Sequence, residues 1–401
     1  MDWQNSGKMK KCYFCIILLV LIMSVSILGC NDKYSQSKKH SAMENAVTME
    51  KQTLENTYCL LTQQKKLNVA YFGDSVTEGY SPEADQVGPN GFDIENPWRK
   101  LTSEWLREQY PDAEITDSGR WIGGTTTLTG AFLSKSVIKQ TKPDLVFISY
   151  AINDLAQKYS TSQLRRYMES IINNVYCVNK KADIVIVYYA GAAYEGESIK
   201  TVEQFNTVAD YYGIGTLDLT PLVKEFFVKN NISYNDNTCK EYLGVDGLHP
   251  TIKGHSLYAE FITDYLNEKL SKCSATKQID HTIPKPMEKV YKNPSYMDYK
   301  QILSLYTSGY VWTKDNQYAC VTDTVTFDFT GTDFGLGYAL TDLNADYTAT
   351  VDGITVDIPK ISKVNNYQML FSNLENKKHK VTITTSVSNG ISIKYALINS
   401  Q

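Results

Sequence analysis

Up to about residue 270 this chain alternates between short, solid apolar runs and longer stretches in which apolar residues recur every three or four positions. Leu67 to Phe72, Asp144 to Ala151 and Asp183 to Tyr189 are the solid runs, and read as strands buried on both faces. Ala113 to Thr116 and Gly215 to Leu219 are shorter versions of the same pattern. Between them the helical period takes over. A helix from about Pro97 puts Trp98, Leu101, Trp105 and Leu106 on one face and stops at Pro111. Ser160 with Gln163 forms a capping box ahead of Leu164, Met168, Ile171, Ile172 and Val175. Further helices follow over 201–212, after an expected cap at Thr220-Pro221, and over 252–270. Strand and helix in alternation predict an α/β domain of three layers, with a parallel five-stranded sheet between helices.

Past residue 290 the period falls to two. Val325, Phe327 and Phe329 share one strand face. Tyr347-Ala349-Val351, Asp352-Gly353 and Ile354-Val356-Ile358 predict a hairpin, because Asp-Gly supplies the two positive-φ residues of a tight turn. Val381-Ile383, Asn389-Gly390 and Ile391-Ile393-Tyr395 predict a second. These features describe an all-β sandwich of jelly-roll type. The expected organisation is a leader over 1–29, a polar tether with a helical end over 30–63, an α/β domain over 64–273, a linker over 274–289 holding Pro284 and Pro286, and the β domain over 290–401.

The leader changes the picture of where the chain works. Lys8, Lys10 and Lys11 precede an apolar run from Tyr13 to Leu28, followed by Gly29-Cys30, the layout of a secretory signal. Ile27-Leu28-Gly29-Cys30 also resembles a bacterial lipobox, whose cysteine carries lipid. Cys30 is therefore the expected lipidation site and the anchor to a membrane, with the body of the protein outside the cytoplasm on a bacterial surface. An uncleaved membrane anchor is the alternative.

The net charge of −4 offers no basic stripe of the kind a nucleic-acid binder needs. Of eight cysteines, Cys59, Cys177, Cys239, Cys273 and Cys320 lie in the body, without metal-ligand spacing, and an extracytoplasmic compartment allows a bridge between Cys59 and Cys273. No metal cluster or phosphate-binding glycine loop stands out, so neither a metal nor a cofactor is expected.

Candidate chemistry lies at the predicted strand ends. The first strand runs into Gly73-Asp74-Ser75, which delivers a hydroxyl to the carboxyl edge of the sheet. Asp246-Gly247-Leu248-His249 precedes the last helix, and an Asp and a His three apart let one loop hold a base and orient it. Ala151-Ile152-Asn153-Asp154 places a side-chain amide at the end of the third strand, with an Asn-Asp turn as the plainer reading. Ile122-Gly123-Gly124-Thr125 allows a bare backbone N–H to approach the same point, where a flexible turn is the plainer reading. Trp121 is either a sugar platform or a buried aromatic, His255 a packing or capping residue, and His40, His281 and His379 lie outside this context.

These four blocks, in this order over residues 64–273, resemble the SGNH (GDSL-type) hydrolase family. The resemblance implies Ser75 as nucleophile, Asp246 and His249 as its partners, and an oxyanion hole made by Ser75, Gly124 and Asn153. It departs from the family where Asp117 to Trp121 replaces a usual asparagine, so Gly124 rather than Gly123 is a choice by alignment. Family members also often carry glycine at the place of Ala151. Secreted members with a jelly-roll partner remove acyl groups, often acetyl, from polysaccharides. The implied activity is a cofactor-independent serine esterase acting on an acylated carbohydrate. Lipid or thioester hydrolysis by the same residues, or a non-catalytic glycan-binding lipoprotein, are the alternatives.

Overall fold

The computed structural model describes residues 53–81, 95–191, 199–234, 238–314 and 318–401. The leader, Cys30 and His40 lie outside them.

Five parallel strands form the first sheet: β1 (Lys66–Gly73), β2 (Glu114–Trp121), β3 (Leu145–Ser149), β4 (Asp183–Tyr188) and β5 (Gly215–Asp218), in the order β2-β1-β3-β4-β5. Every residue of β3 and β4 is buried, as their solid apolar sequences require. β2 is longer than expected and carries polar residues through Trp121, because it is an edge strand whose outer side faces solvent. The Ser160 capping box forms as read. The cap expected at Thr220 lies two residues earlier, where the Asp218 carboxylate accepts from Thr220 N and starts the Leu219–Lys229 helix.

One helix had no counterpart in the sequence reading. Thr127–Thr141 is buried along an unbroken run from Thr127 to Ser134, so it lacks the polar face that makes a helix legible. Gly130 lies against the Tyr150 ring, where a β-carbon would sit 2.6 Å from a ring atom.

The second sheet is antiparallel and has nine strands: β6 (Asn293–Asp298), β7 (Tyr306–Lys314), β8 (Tyr318–Gly331), β9 (Asp333–Leu340), β10 (Tyr347–Val351), β11 (Ile354–Asp357), β12 (Asn366–Phe371), β13 (Lys377–Thr385) and β14 (Ile391–Ser400). The Asp352-Gly353 hairpin joins β10 to β11, with both turn residues at positive φ. The Asn389-Gly390 hairpin does not exist. β13 pairs antiparallel with Thr324–Gly331 of β8, and β14 pairs antiparallel with Ala319–Val321 of the same strand. The chain therefore keeps its direction through Asn389, whose N–H donates to the Thr322 carbonyl. Asn-Gly here makes an excursion between two partners of one long strand, not a reversal.

The two sheets share a core. Tyr291, Tyr367, Tyr395 and Leu397 pack in one apolar cluster with Leu128, Phe132 and Tyr167 of the α/β part. Tyr395 Oη lies 2.6 Å from Thr129 Oγ1, and Tyr159 Oη donates to the Tyr367 carbonyl. Arg166 reaches Asp333 at 3.2 Å and lies over the Tyr291 ring. The stretch read as a linker is strapped down: Glu169 accepts from Met287 N and Glu288 N, and His281 N donates to the Lys180 carbonyl. The stretch read as a tether also needs correcting at its end. Leu54, Leu60 and Leu61 are core residues, and Asp183 accepts from Thr57 N and Thr57 Oγ1 while lying 3.0 Å from His281. Cys59 and Cys273 are both buried and both free, so the expected bridge is absent; Cys273 lies in the apolar cluster around β1 as a small hydrophobe.

Removing Arg166 tests this junction. Asp333 is only 1% exposed on its side chain and keeps Thr332 and Asn399 as donors, but loses its cation. Arg166→Met is expected to destabilise the protein by about 3 kcal/mol, the cost of breaking a buried pair, as read by denaturant unfolding.

Candidate active site

Three strand ends and one loop meet at the carboxyl edge of the parallel sheet. At the end of β1, Gly73 has no room for a side chain, since a β-carbon would fall 1.8 Å from Thr77 Oγ1. The chain then breaks into a one-turn helix, Ser75–Glu78, with Asp74 as its cap: Val76 N donates to Asp74 Oδ1, and Gly79 at φ +99° closes the turn. This puts Ser75 on the first helical residue, partly exposed at the rim, and buries Asp74 beneath it.

Opposite, Asp246 folds its own loop. Its Oδ1 accepts from Leu248 N and His249 N, and Oδ2 lies 2.6 Å from His249 Nδ1. Gly247 stands at φ +66° between them. Burial alone would raise the Asp246 carboxyl, but the His249 ring and the two loop N–H groups outweigh it and hold it at about 2. An ionised carboxylate only accepts, so the His249 proton belongs on Nδ1 and Nε2 is left as an acceptor. Ser75 Oγ lies 2.8 Å from that Nε2. The Tyr80 ring meets the imidazole edge-on with centroids 4.6 Å apart. Serine hydroxyl, imidazole and carboxylate are thus in series.

Asn153 follows at the end of β3. Its amide donates to Asp74 Oδ2 at 3.2 Å and to the Thr125 carbonyl at 3.0 Å. Asp74 therefore ties the serine turn to the asparagine. Asp154 beside it accepts from Thr127 N and Thr127 Oγ1, which starts the buried Thr127–Thr141 helix. Burial lifts Asp74 to about 7, against the Val76 N–H and His249. Burial also lifts Asp154 to about 7; its bonds from Thr127 oppose the rise and the Asp74 charge adds to it.

Of the two glycines, Gly123 lies nearer the serine, for a β-carbon there would meet Ser75 Cβ at 3.6 Å. Its N–H is taken by the Glu78 carboxylate at 2.7 Å. Gly124, at φ +70°, turns its α-carbon toward Asn365 and Tyr367 of the β domain. Glu78, Thr125, Asn365 and Tyr367 are contacts that sequence reasoning missed. Glu78 stands three residues from Ser75, but nothing local marks its partner, and the others lie up to 292 residues away in the chain.

The remaining candidates resolve simply. Trp121 is half-buried, with the Arg99 guanidinium 3.7 Å above its ring. His255 is buried and accepts from Trp98 N at 3.4 Å, capping that helix. His281 sits on Asp183, and His379 lies 2.8 Å from Asp352 within the β domain.

A family model described as "GDSL-like Lipase/Acylhydrolase family" matches residues 71–257, the segment that carries all four blocks. This segment is similar to that family, and the chain is a carboxylic ester hydrolase of the GDSL type. A search of curated protein sequences finds no match. Among solved structures, a two-domain esterase described as active on acetylated mannans is similar over 88% of this chain and 97% of its own, at 18% identity and a TM-score of 0.67. The same kind of esterase co-crystallised with mannopentaose gives 88%, 96%, 18% and 0.65. The likeness runs through both sheets, so it extends to the two-part fold.

Two predictions follow from the geometry. Ala151 is held at φ +136°, where a β-carbon is strained. Ala151→Gly should stabilise the fold by about 1 kcal/mol, after allowing for glycine's greater freedom when unfolded, measured by chemical denaturation. The second concerns pH. Between about pH 4 and pH 7 an unfolded Asp154 is ionised, while the native carboxyl, lifted to about 7, still holds its proton. The folded state then binds more protons, so this group makes stability fall as pH rises through that window. The stability gap between wild type and Asp154→Asn should narrow from pH 5 to pH 7.5; a gap that widens contradicts the assignment.

Proposed function

We propose that this chain removes O-acyl groups, acetyl above all, from a polysaccharide through an acyl-enzyme on Ser75. The observation that carries this is the series Ser75 Oγ, His249 Nε2, His249 Nδ1, Asp246 Oδ2, with spacings of 2.8 and 2.6 Å. His249 takes the serine proton as Oγ attacks the ester carbonyl, and Asp246 holds the ring and offsets its charge. The tetrahedral oxyanion is met by the N–H groups of Ser75 and Gly124 and by the Asn153 amide. Gly123 is the weaker candidate because its N–H serves Glu78. Asn153 must release one of its two resting acceptors, Asp74 or Thr125, to take part. His249 then returns the proton to the leaving sugar hydroxyl, and water repeats the sequence to free the acid. No step draws on a cofactor.

The carbohydrate substrate rests on the shared two-part fold with an esterase described as active on acetylated mannans. Lipidation of Cys30 would hold the enzyme outside the cytoplasm at a bacterial surface, where such polymers are met. The test is hydrolysis of an aryl acetate by the full chain. Ser75→Ala should abolish turnover, and Asn153→Ala should lower kcat about 10²–10³-fold. Near-normal turnover in Asn153→Ala would remove that residue from the oxyanion site.

A further inference from the structure

The β domain reaches the active-site rim, where one cavity opens at the seam and a second opens beside it within the β domain. The first, about 320 Å³, has Gly123 in its wall, the residue whose α-carbon faces Ser75. Its other walls include Tyr296, Asp298, Tyr299, Tyr318, Tyr367 and Lys394. The second, about 330 Å³, lies on the far side of Tyr318 and Lys394, which line both. Each is at the lower end of the range for small-molecule sites.

We propose that these two cavities are consecutive saccharide subsites, which hold the sugar units of the polymer chain that flank the acylated unit at Ser75. This inference rests on the carbohydrate reading given above. Tyrosine faces suit pyranose rings, and a lining that also carries an ammonium, a carboxylate and phenolic hydroxyls suits sugar hydroxyls better than an acyl chain. Lys394 and Asp298 bear opposite charges, which favours a neutral saccharide over a polyanion. Tyr299 is buried to about nine-tenths, and its hydroxyl has no hydrogen-bond partner among the described residues. That oxygen is closed off from solvent, so Tyr299 offers the cavity its ring rather than a hydrogen bond.

Lys394 is held in place by the β domain. Its Nζ donates to Asn365 Oδ1 at 2.6 Å, and the Asn365 amide is the nearest neighbour of the Gly124 α-carbon face. The ammonium stands 5.6 Å from the ring centre of the part-exposed Tyr318 and 5.9 Å from that of the buried Tyr367, so it lies beside a ring a sugar would contact. A repeated pair of cavities sharing one wall is what a polymer, rather than a small ester, has use for.

The test compares one small ester with acetylated oligosaccharides, using the full chain. Binding of mannopentaose and of xylopentaose to the Ser75→Ala protein is followed by titration calorimetry, and hydrolysis of their acetylated forms is set beside hydrolysis of an aryl acetate. Lys394→Met and Tyr318→Ala should each lower kcat/KM on an acetylated saccharide about tenfold, and weaken pentaose binding to match, while aryl acetate turnover stays within about twofold. If the wild type turns over acetylated saccharide and the variants do so equally well, the subsites are wrong and the carbohydrate reading stands. If the variants lose aryl acetate turnover in step, their role is structural and the proposal fails. If the wild type cleaves aryl acetate but neither saccharide, with no pentaose binding, the carbohydrate reading itself falls.

Discussion

One buried carboxylate holds the site together. Asp74 accepts from Val76 N, which fixes Ser75 on its turn, and from the Asn153 amide, which fixes the end of β3 beside it. It follows Gly73, where no side chain fits, and caps the short helix that begins at Ser75. The environment that makes Asp74 a good anchor also disfavours its charge, because it is removed from water. Nearby Asp154 is in the same position and uses its oxygens to start the Thr127–Thr141 helix. The serine turn, the amide and the helix that carries the second sheet are therefore joined through two neighbouring acids.

That helix explains why the two sheets behave as one body. It is buried on the parallel-sheet side, while Thr129 meets Tyr395 on the other. Tyr291, Tyr367 and Tyr395 complete an apolar cluster that the α/β part would otherwise leave open. Tyr395 and Tyr159 also pair a large apolar ring with a hydroxyl that finds a partner across the seam. The β domain is thereby brought against the glycine turn beside Ser75, and side chains encoded far downstream become part of the active-site surroundings.

Much of this could be read before the fold was known. The buried strands announced themselves because a parallel sheet covered on both faces must be apolar throughout. The Asp-x-x-His loop was legible because its bonds are local: Asp246 and His249 meet within one turn. Other elements misled for equally physical reasons. Thr127–Thr141 has no amphipathic stripe because both sides of it are covered. Asn389-Gly390 has the composition of a reversal, yet turn chemistry sets only backbone angles, and the neighbouring strand β8 decided that the chain would run on. Thr220-Pro221 lost the cap to Asp218, whose carboxylate was two residues better placed. Cys59 and Cys273 looked like a bridge across the domain ends, and were instead two buried free thiols.

The sequence by itself determined the strand and helix alternation, the serine at the first strand end and the Asp-x-x-His loop before the last helix. All of these depend on short-range patterns and on residue types with few substitutes. Only the tertiary structure decided which N–H Glu78 would occupy, that Asp74 would bind Asn153, and that Lys394 and Tyr318 would stand near the glycine turn. Those contacts join residues tens to hundreds of positions apart, and they exist because two sheets bury a common core; no local preference encodes them.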